Sequence, residues 1–293
     1  MKNKQLVLSL VGLFLLSFSA HAQRESSSDF HLDEVYNLSN TGTVHLSSSD
    51  AEVTIKGSER SDVRVKIDRV EDVRGFSSNR RKFDVDVEER SGDLFISERE
   101  ARGVRVMMGS YSVDYSIDIE MPANGSLRIK GDDDDYLIRS VNGAISVSID
   151  DGDVELIECN GSDFDFQIED GDLKMDGGKG TFYARSDDGN IDIRNAAFDN
   201  VEIRVEDGDV SIETTLSDTG IYEFSADDGG IDFVVLAGGG MFNVLKDDGR
   251  VSTSSAFDTI RETESRSQLE LSGGKAEVDI RINDGRVRLS SEN

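Results

Sequence analysis

Seven tight turns in this chain carry carboxylates at a nearly constant spacing. They read Asp150-Asp151-Gly152, Glu169-Asp170-Gly171, Asp187-Asp188-Gly189, Glu206-Asp207-Gly208, Asp227-Asp228-Gly229, Asp247-Asp248-Gly249 and Asn283-Asp284-Gly285. The first six glycines follow one another by 19, 18, 19, 21 and 20 residues, and the last follows after 36. Carboxylates in such a row support three kinds of chemistry. Their oxygens are the right ligands for Ca²⁺. Their summed charge attracts divalent cations, basic peptides and basic protein surfaces. A pair of them can cleave a glycosidic bond.

The residue after the glycine narrows the cation site. It is Asp153, Asp172, Asn190 and Asp209 in the early turns, then Gly230, Arg250 and Arg286. With Lys246, the later turns neutralise themselves in part. Asp151, Asp170, Asp188 and Asp207 are therefore the candidate Ca²⁺ ligands. A folding reason stands beside this one, since Asp before Gly bonds nearby backbone N–H groups and tolerates left-handed dihedrals. Neither an EF-hand loop nor a Gly-Gly-x-Gly-x-Asp nonapeptide is present. The acidic run at residues 132–135 reads as a solvated loop.

Enzyme chemistry has little to stand on. Hydrolysis by two carboxylates needs two different environments, whereas these turns repeat one. Beyond the leader only His31 and His45 remain. That is too few for a usual zinc site or a Ser-His-Asp triad. No Gly-x-Ser-x-Gly elbow and no phosphate loop occurs. No catalytic residue and no cofactor other than weakly held Ca²⁺ is expected.

The elements that position these turns follow from a period of two. Three, five and seven residues before the glycine the chain is mostly apolar: Ile149, Val147 and Ile145 for Gly152, and Val205, Ile203 and Val201 for Gly208. The pattern resumes two and four residues after it, as in Val154 and Leu156. Such alternation makes half-buried strands. A second, looser set of turns lies midway, at Asn142-Gly143, Asn160-Gly161 and Lys179-Gly180. A fixed period near twenty residues is the mark of a repeat architecture. The expected fold is all-β, a right-handed β-solenoid with about 19–20 residues and two main strands per coil. The alternative is an antiparallel β-meander with each Asp-Gly as a hairpin.

The expected organisation is a leader at 1–22, a polar lead-in at 23–29 and one solenoid domain at 30–293. Within it, 30–130 form degenerate coils, 131–253 regular acidic-turn coils, 254–268 an insertion and 269–293 a C-terminal coil. Residues 71–82, 97–109 and 254–267 break the pattern and are expected as surface excursions.

Lys2 and Lys4, an apolar run at 6–18 and Ala20-His21-Ala22 make an export signal cut between Ala22 and Gln23. The run is too short for a membrane span, and no later stretch is apolar enough. The protein is thus expected in the periplasm, at the cell surface or secreted. Formal charge is −28, from 60 Asp+Glu against 32 Lys+Arg. Losing the two leader lysines makes it more negative still. Nucleic acid is excluded as a partner, because it demands a basic surface. Cys159 is the single cysteine, so no internal disulfide forms.

These elements resemble the bacterial DUF4097 family, the "putative adhesin" or β-strand-repeat family. The resemblance runs from about residue 30 to 290. It rests on an opening strand pair at 42–67 and a long strand entering Met121-Pro122 and Ser126-Leu127-Arg128-Ile129. It also rests on repeated Asn-Gly or Asp-Gly turns, and on the closing run Ala276-Glu277-Val278-Asp279-Ile280-Arg281-Ile282-Asn283-Asp284-Gly285-Arg286-Val287-Arg288-Leu289. The resemblance implies a right-handed β-solenoid without known catalytic residues. It also implies a role at the cell surface or in envelope stress, with a protein or cell-surface component as partner. The usual Ser-Gly or Asn-Gly turns of the family are acidic here.

Overall fold

The computed structural model describes residues 29–78, 83–99 and 106–292. The leader and its cleavage site at Ala22 and Gln23 lie outside them. Strands make up about three quarters of the described chain. The N-terminal part contains β1 (Phe30–Asn37), β2 (Thr43–Ser47), β3 (Glu52–Ser58), β4 (Asp62–Ser78), β5 (Asp84–Arg90), β6 (Asp93–Arg99) and β7 (Val106–Pro122). The body contains β8 (Ser126–Asp133), β9 (Asp135–Arg139), β10 (Ile145–Asp151), β11 (Val154–Ile157), β12 (Asp163–Asp170), β13 (Leu173–Asp176), β14 (Lys179–Asp188), β15 (Ile191–Asp207), β16 (Val210–Thr215) and β17 (Ile221–Ala237). The C-terminal part contains β18 (Gly240–Lys246), β19 (Arg250–Thr253), β20 (Phe257–Glu262), β21 (Arg266–Leu271) and β22 (Ala276–Ser291).

The body is a β-solenoid. Each coil lays one strand on a first face, turns at the acidic glycine, and lays a second strand on the opposite face. Equivalent strands pair in parallel. On the first face Leu127, Ile145, Phe164, Phe182, Val201 and Tyr222 align in one inward column. On the second, Tyr136, Val154, Leu173, Ile191, Val210 and Ile231 do the same. All twelve are buried. Alternation of period two sends every intervening side chain to solvent, so register is set by the apolar residues. Burying each such side chain contributes roughly 1.5–3 kcal/mol. The parallel body rules out the antiparallel meander there.

Aromatic rings fill the space between the faces. Phe182 lies 5.0 Å from Phe198 and 5.6 Å from Phe166 by ring centroids. A second series runs Phe224, Phe233, Phe242 and Phe257, each step edge-to-face at 5.1–5.9 Å. Phe257 thereby closes the core at the C-terminal end.

Neither end stacks in chain order. β2 pairs with both β6 and β8, and β3 with both β7 and β9. The first coil is thus inserted between β7 and β8, which are consecutive in sequence. At the other end β22 pairs with β17 on one side and with β18 and β19 on the other. An inserted strand has both edges hydrogen-bonded, whereas a strand added at the end of the stack leaves one edge open. The turn at Gly249 therefore does not follow the turn at Gly229, as the even spacing predicts. The Gly285 turn stands between them.

The three expected excursions are largely strand. Residues 71–78 of β4 pair antiparallel with 106–113 of β7, and 97–99 of β6 pair with 84–86 of β5. β20 and β21 form an antiparallel pair laid on β18. Residues 79–82 and 100–105 of the first two lie outside the described residues.

Candidate functional site: the acidic turn edge

The turn glycines have φ between +125° and +147° at Gly152, Gly171, Gly189, Gly208, Gly229 and Gly285. A Cβ on Gly171 would collide with the Gly152 carbonyl oxygen, and one on Gly189 with that of Gly171. Backbones meet here with no room between them. Gly152 N–H donates to the Asp170 carbonyl at 3.0 Å, and Gly171 N–H to that of Asp188 at 3.0 Å. The hydrogen-bond ladder thus passes through the turn without a break.

That continuity puts the residue before each glycine into a column. Asp133, Asp151, Asp170, Asp188, Asp207, Asp228 and Asp284 align residue by residue along the axis. All seven are exposed. The four candidate ligands Asp151, Asp170, Asp188 and Asp207 are consecutive members. Asp248 is not the neighbour of Asp228; its N–H donates to the Asn283 carbonyl at 3.0 Å, beyond the Asp284 strand. Like charges at one strand spacing act on each other. The Asp151 carboxyl is held above the usual range by its hydrogen bond with Asp133, slight desolvation and the charge of Asp170. The Asp188 carboxyl is raised by slight desolvation and the charges of Asp170 and Asp207.

The residue after each glycine does something different. Asp135 Oδ1 accepts from Asp153 N–H at 3.0 Å, and Asp153 Oδ1 from Asp172 N–H at 2.9 Å. Asp172 Oδ1 accepts from Asn190 N–H at 3.0 Å, and Asn190 Oδ1 from Asp209 N–H at 3.0 Å. Each side chain caps the next coil's backbone. For Asp172, burial alone would raise the carboxyl, but the Asn190 hydrogen bonds and Lys174 hold it below its ordinary value. The series ends at Gly230. Arg286 approaches Asp209 at 4.0 Å, whereas Lys246 pairs with Glu262 away from the column.

A cation at this edge would meet the column two neighbours at a time. Among the described residues, no group of three or more His, Cys, Asp or Glu side chains has the placement of a metal cage. No described helix is long and apolar enough to cross a membrane.

A model of the family described as Toastrack DUF4097 matches residues 42–290. The chain belongs to the DUF4097 family. Three solved structures are similar to this DUF4097 chain. One is a "putative adhesin" from Bacteroides fragilis, with 11% identity, 89% of this chain and 97% of that chain covered, and a TM-score of 0.48. One is a "putative adhesin" from Parabacteroides distasonis, at 12%, 89% and 97%, with a TM-score of 0.34. One is a "putative cell adhesion protein" from Clostridium sporogenes, at 14%, 90% and 100%, with a TM-score of 0.29. Among curated proteins none matches.

Two features of the DUF4097 edge escape sequence reasoning. Asp133 stands one coil ahead of Asp151, but its turn lacks the glycine that marks the others. Asp134 stands in the glycine's place and is 1% exposed, which corrects the expectation of a solvated loop at 132–135. Its Oδ1 accepts from Ala51 N–H at 2.7 Å, and its Oδ2 from the Tyr136 hydroxyl at 2.9 Å and the Ser48 hydroxyl at 3.2 Å. Burial still pushes the carboxyl up against these donors. The run of four carboxylates is thus one column member, one buried anchor and one cap, with Asp132 leading in. A cleft of about 680 Å³ opens beside it, lined by Asp50, Glu52, Asp114, Asp133, Asp151, Val70 and Val113 among others.

Proposed function

We propose that this DUF4097 protein is an exported, non-catalytic binding or structural protein of the cell envelope, adhesin-like or tied to envelope stress. The observation that carries the reading is the column from Asp133 to Asp284. It presents one environment again and again along an edge, which suits repeated contact with an extended partner rather than a single reacting centre. Export and residence in the periplasm, at the surface or outside the cell belong to the same reading, and rest on the leader. The partner is a protein or cell-surface component. Binding of the purified mature chain to washed envelope sheets, followed by sedimentation, tests it. Saturable binding is expected; sheets that take up no more of the native chain than of the urea-unfolded chain would sink it.

A second reading has one observation behind it. Asp133 and Asp151 stand in register on neighbouring strands, and a divalent cation between them would relieve their repulsion. In that reading the edge holds Ca²⁺ or a cationic peptide through Asp151, Asp170, Asp188 and Asp207.

A further inference from the structure

The strands β4 and β7 run on together past the acidic turn edge. β7 is parallel to β3, whose first residue, Glu52, stands opposite Ser116 on one side and Asp135 on the other. The part of β7 before Ser116 therefore lies beyond the edge. Its antiparallel pairing with β4 continues there, from Val70↔Asp114 to Ser78↔Val106. β1 lies on β4 only as far as Arg69, and β3 lies on β7 only from Ser116. Among the described residues no other strand is laid on either. What projects is a two-stranded ribbon, roughly 30 Å long at about 3.4 Å per residue. Such a ribbon alone is marginal in water, and a further strand is what stabilises it.

The two strands of the ribbon differ. β4 carries Glu71, Asp72 and Arg74, and Asp29 Oδ1 accepts from Glu71 N–H at 3.2 Å. β7 carries no charge from Val106 to Val113, in a chain where 31% of residues are charged. Open edges are ordinarily blunted by charge, by a bulge or by shortness. The other terminal strands follow that rule. β1 carries Asp33 and Glu34, and β5 carries Asp84, Asp86, Glu88 and Glu89. β20 carries Asp258, Arg261 and Glu262 with a bulge after Thr259, and β19 is only Arg250–Thr253. Among the described edges, that of β7 is the long uncharged one. The cleft of about 680 Å³ lies where a strand continuing the line of β3 along β7 would begin. Val113, Asp114 and Ser116 line it from β7, and Asp50 and Glu52 from the approach to β3.

We propose that this edge of β7 pairs with the same edge of a second copy of the chain, antiparallel across a two-fold axis. Each ribbon then gains a neighbour, and the joint is a four-stranded sheet with both β7 strands inside. A two-fold contact of this kind is closed and stops at two copies. Charge fixes the direction. Parallel pairing would set the two acidic edges side by side. Antiparallel pairing sends the far end of each ribbon to the other's base, where Asp50, Glu52, Asp114, Asp133 and Asp151 line the cleft. At that far end the chain leaves β4 through Asn79-Arg80-Arg81-Lys82 and enters β7 through Glu100-Ala101-Arg102-Gly103-Val104-Arg105, with five cations and one carboxylate. A basic stretch of each copy thus comes to the carboxylates of the other. Such complementarity selects a second copy over a foreign strand without those cations.

Sedimentation velocity of the mature chain over a range of micromolar concentrations tests the pairing. A monomer–dimer equilibrium is expected. Ser110→Lys with Ser112→Lys changes two exposed positions and sets like charges across the joint. It is expected to weaken the dimer at least tenfold while keeping the parent's circular dichroism spectrum. Thr259→Lys, on the β20 edge, is expected to dimerise as the parent does. A spin label on Ser110→Cys reads the geometry itself, since Cys159 is buried. Labels on strands one spacing apart, with their tethers, are expected under about 20 Å from one another. Labels on Thr259→Cys are expected to show no such distance. A chain that stays monomeric overturns the proposal and leaves the edge to a foreign strand. A dimer indifferent to the paired lysines, or one with the Ser110→Cys labels far apart, also overturns it, because the interface then lies elsewhere. If the paired lysines alter the spectrum, the label distance alone decides.

Discussion

Asp228 stands in register with Asp284, 56 residues further along the chain, and not with Asp248, 20 residues further. Asn283 Nδ2 donates to Asp227 Oδ1 across the same step at 2.9 Å. The C-terminal strand is therefore a wedge in the stack, hydrogen-bonded on both edges.

Removing that wedge should cost more than removing an end. β22 buries Val278, Ile280, Ile282, Val287 and Leu289. At roughly 1.5–3 kcal/mol each, their loss rivals the 5–15 kcal/mol by which domains of ordinary size are stable. A chain ending at residue 272 is expected to lose protection of β18 to β21 in hydrogen exchange. Native protection of those strands would show that β17 and β18 can close on each other.

The turn glycines divide into those with a carbonyl stacked against them and those without. Gly189→Ala meets both the Gly171 carbonyl and a φ of +141°. Strain of this kind costs about 1–3 kcal/mol for the dihedral alone, and the collision adds to it. Gly249→Ala meets no atom nearer than 3.1 Å. Urea midpoints should drop clearly for the first and little for the second. Equal midpoints would mean that the coils can separate at the turn.

Mild acid should stabilise the protein. Asp134 and Glu98 are raised by burial, Asp151 by its hydrogen bond with Asp133, and Asp188 by slight desolvation and neighbouring charge. Between the ordinary carboxylate values and these raised ones, the folded state binds more protons than the unfolded state. Stability then falls as pH rises through that window. The unfolding midpoint is expected to climb as pH is lowered through that window toward the ordinary carboxylate values. Further acid reverses the trend, because Asp33, Asp68 and Asp172 are lowered and lose their partners there. Asp134→Asn should flatten the climb. A midpoint that only falls as pH is lowered from neutral would contradict this account.

Neutralising the column should relieve its repulsion without disturbing the turns, since the capping role belongs to the residue after the glycine. Asp151→Asn, Asp170→Asn, Asp188→Asn and Asp207→Asn together are expected to raise the unfolding midpoint in low salt, with the gap closing as salt screens it. If the edge holds Ca²⁺, millimolar Ca²⁺ raises the parent's midpoint, EDTA reverses it, and the fourfold variant does not respond. No shift in the parent removes the metal reading.

Much of this was written locally. Alternation such as Ile145, Val147, Ile149 decides a strand and its buried face within seven residues, and Asp-Gly decides a turn within two. The repeat, the solenoid and the acidic edge with Asp151, Asp170, Asp188 and Asp207 are sums of such local choices. What only the tertiary structure decided depends on distant pairing. Strand order at the ends turns on which slot leaves no edge unpaired, and β2 and β22 carry no local mark of being inserted. The fate of Asp134 turns on donors such as Ala51, 83 residues away. His45 stands beside Arg128 only because β2 pairs with β8. A carboxylate looks the same in sequence whether it faces water, caps a backbone or is buried, because the difference lies in what the fold brings to it.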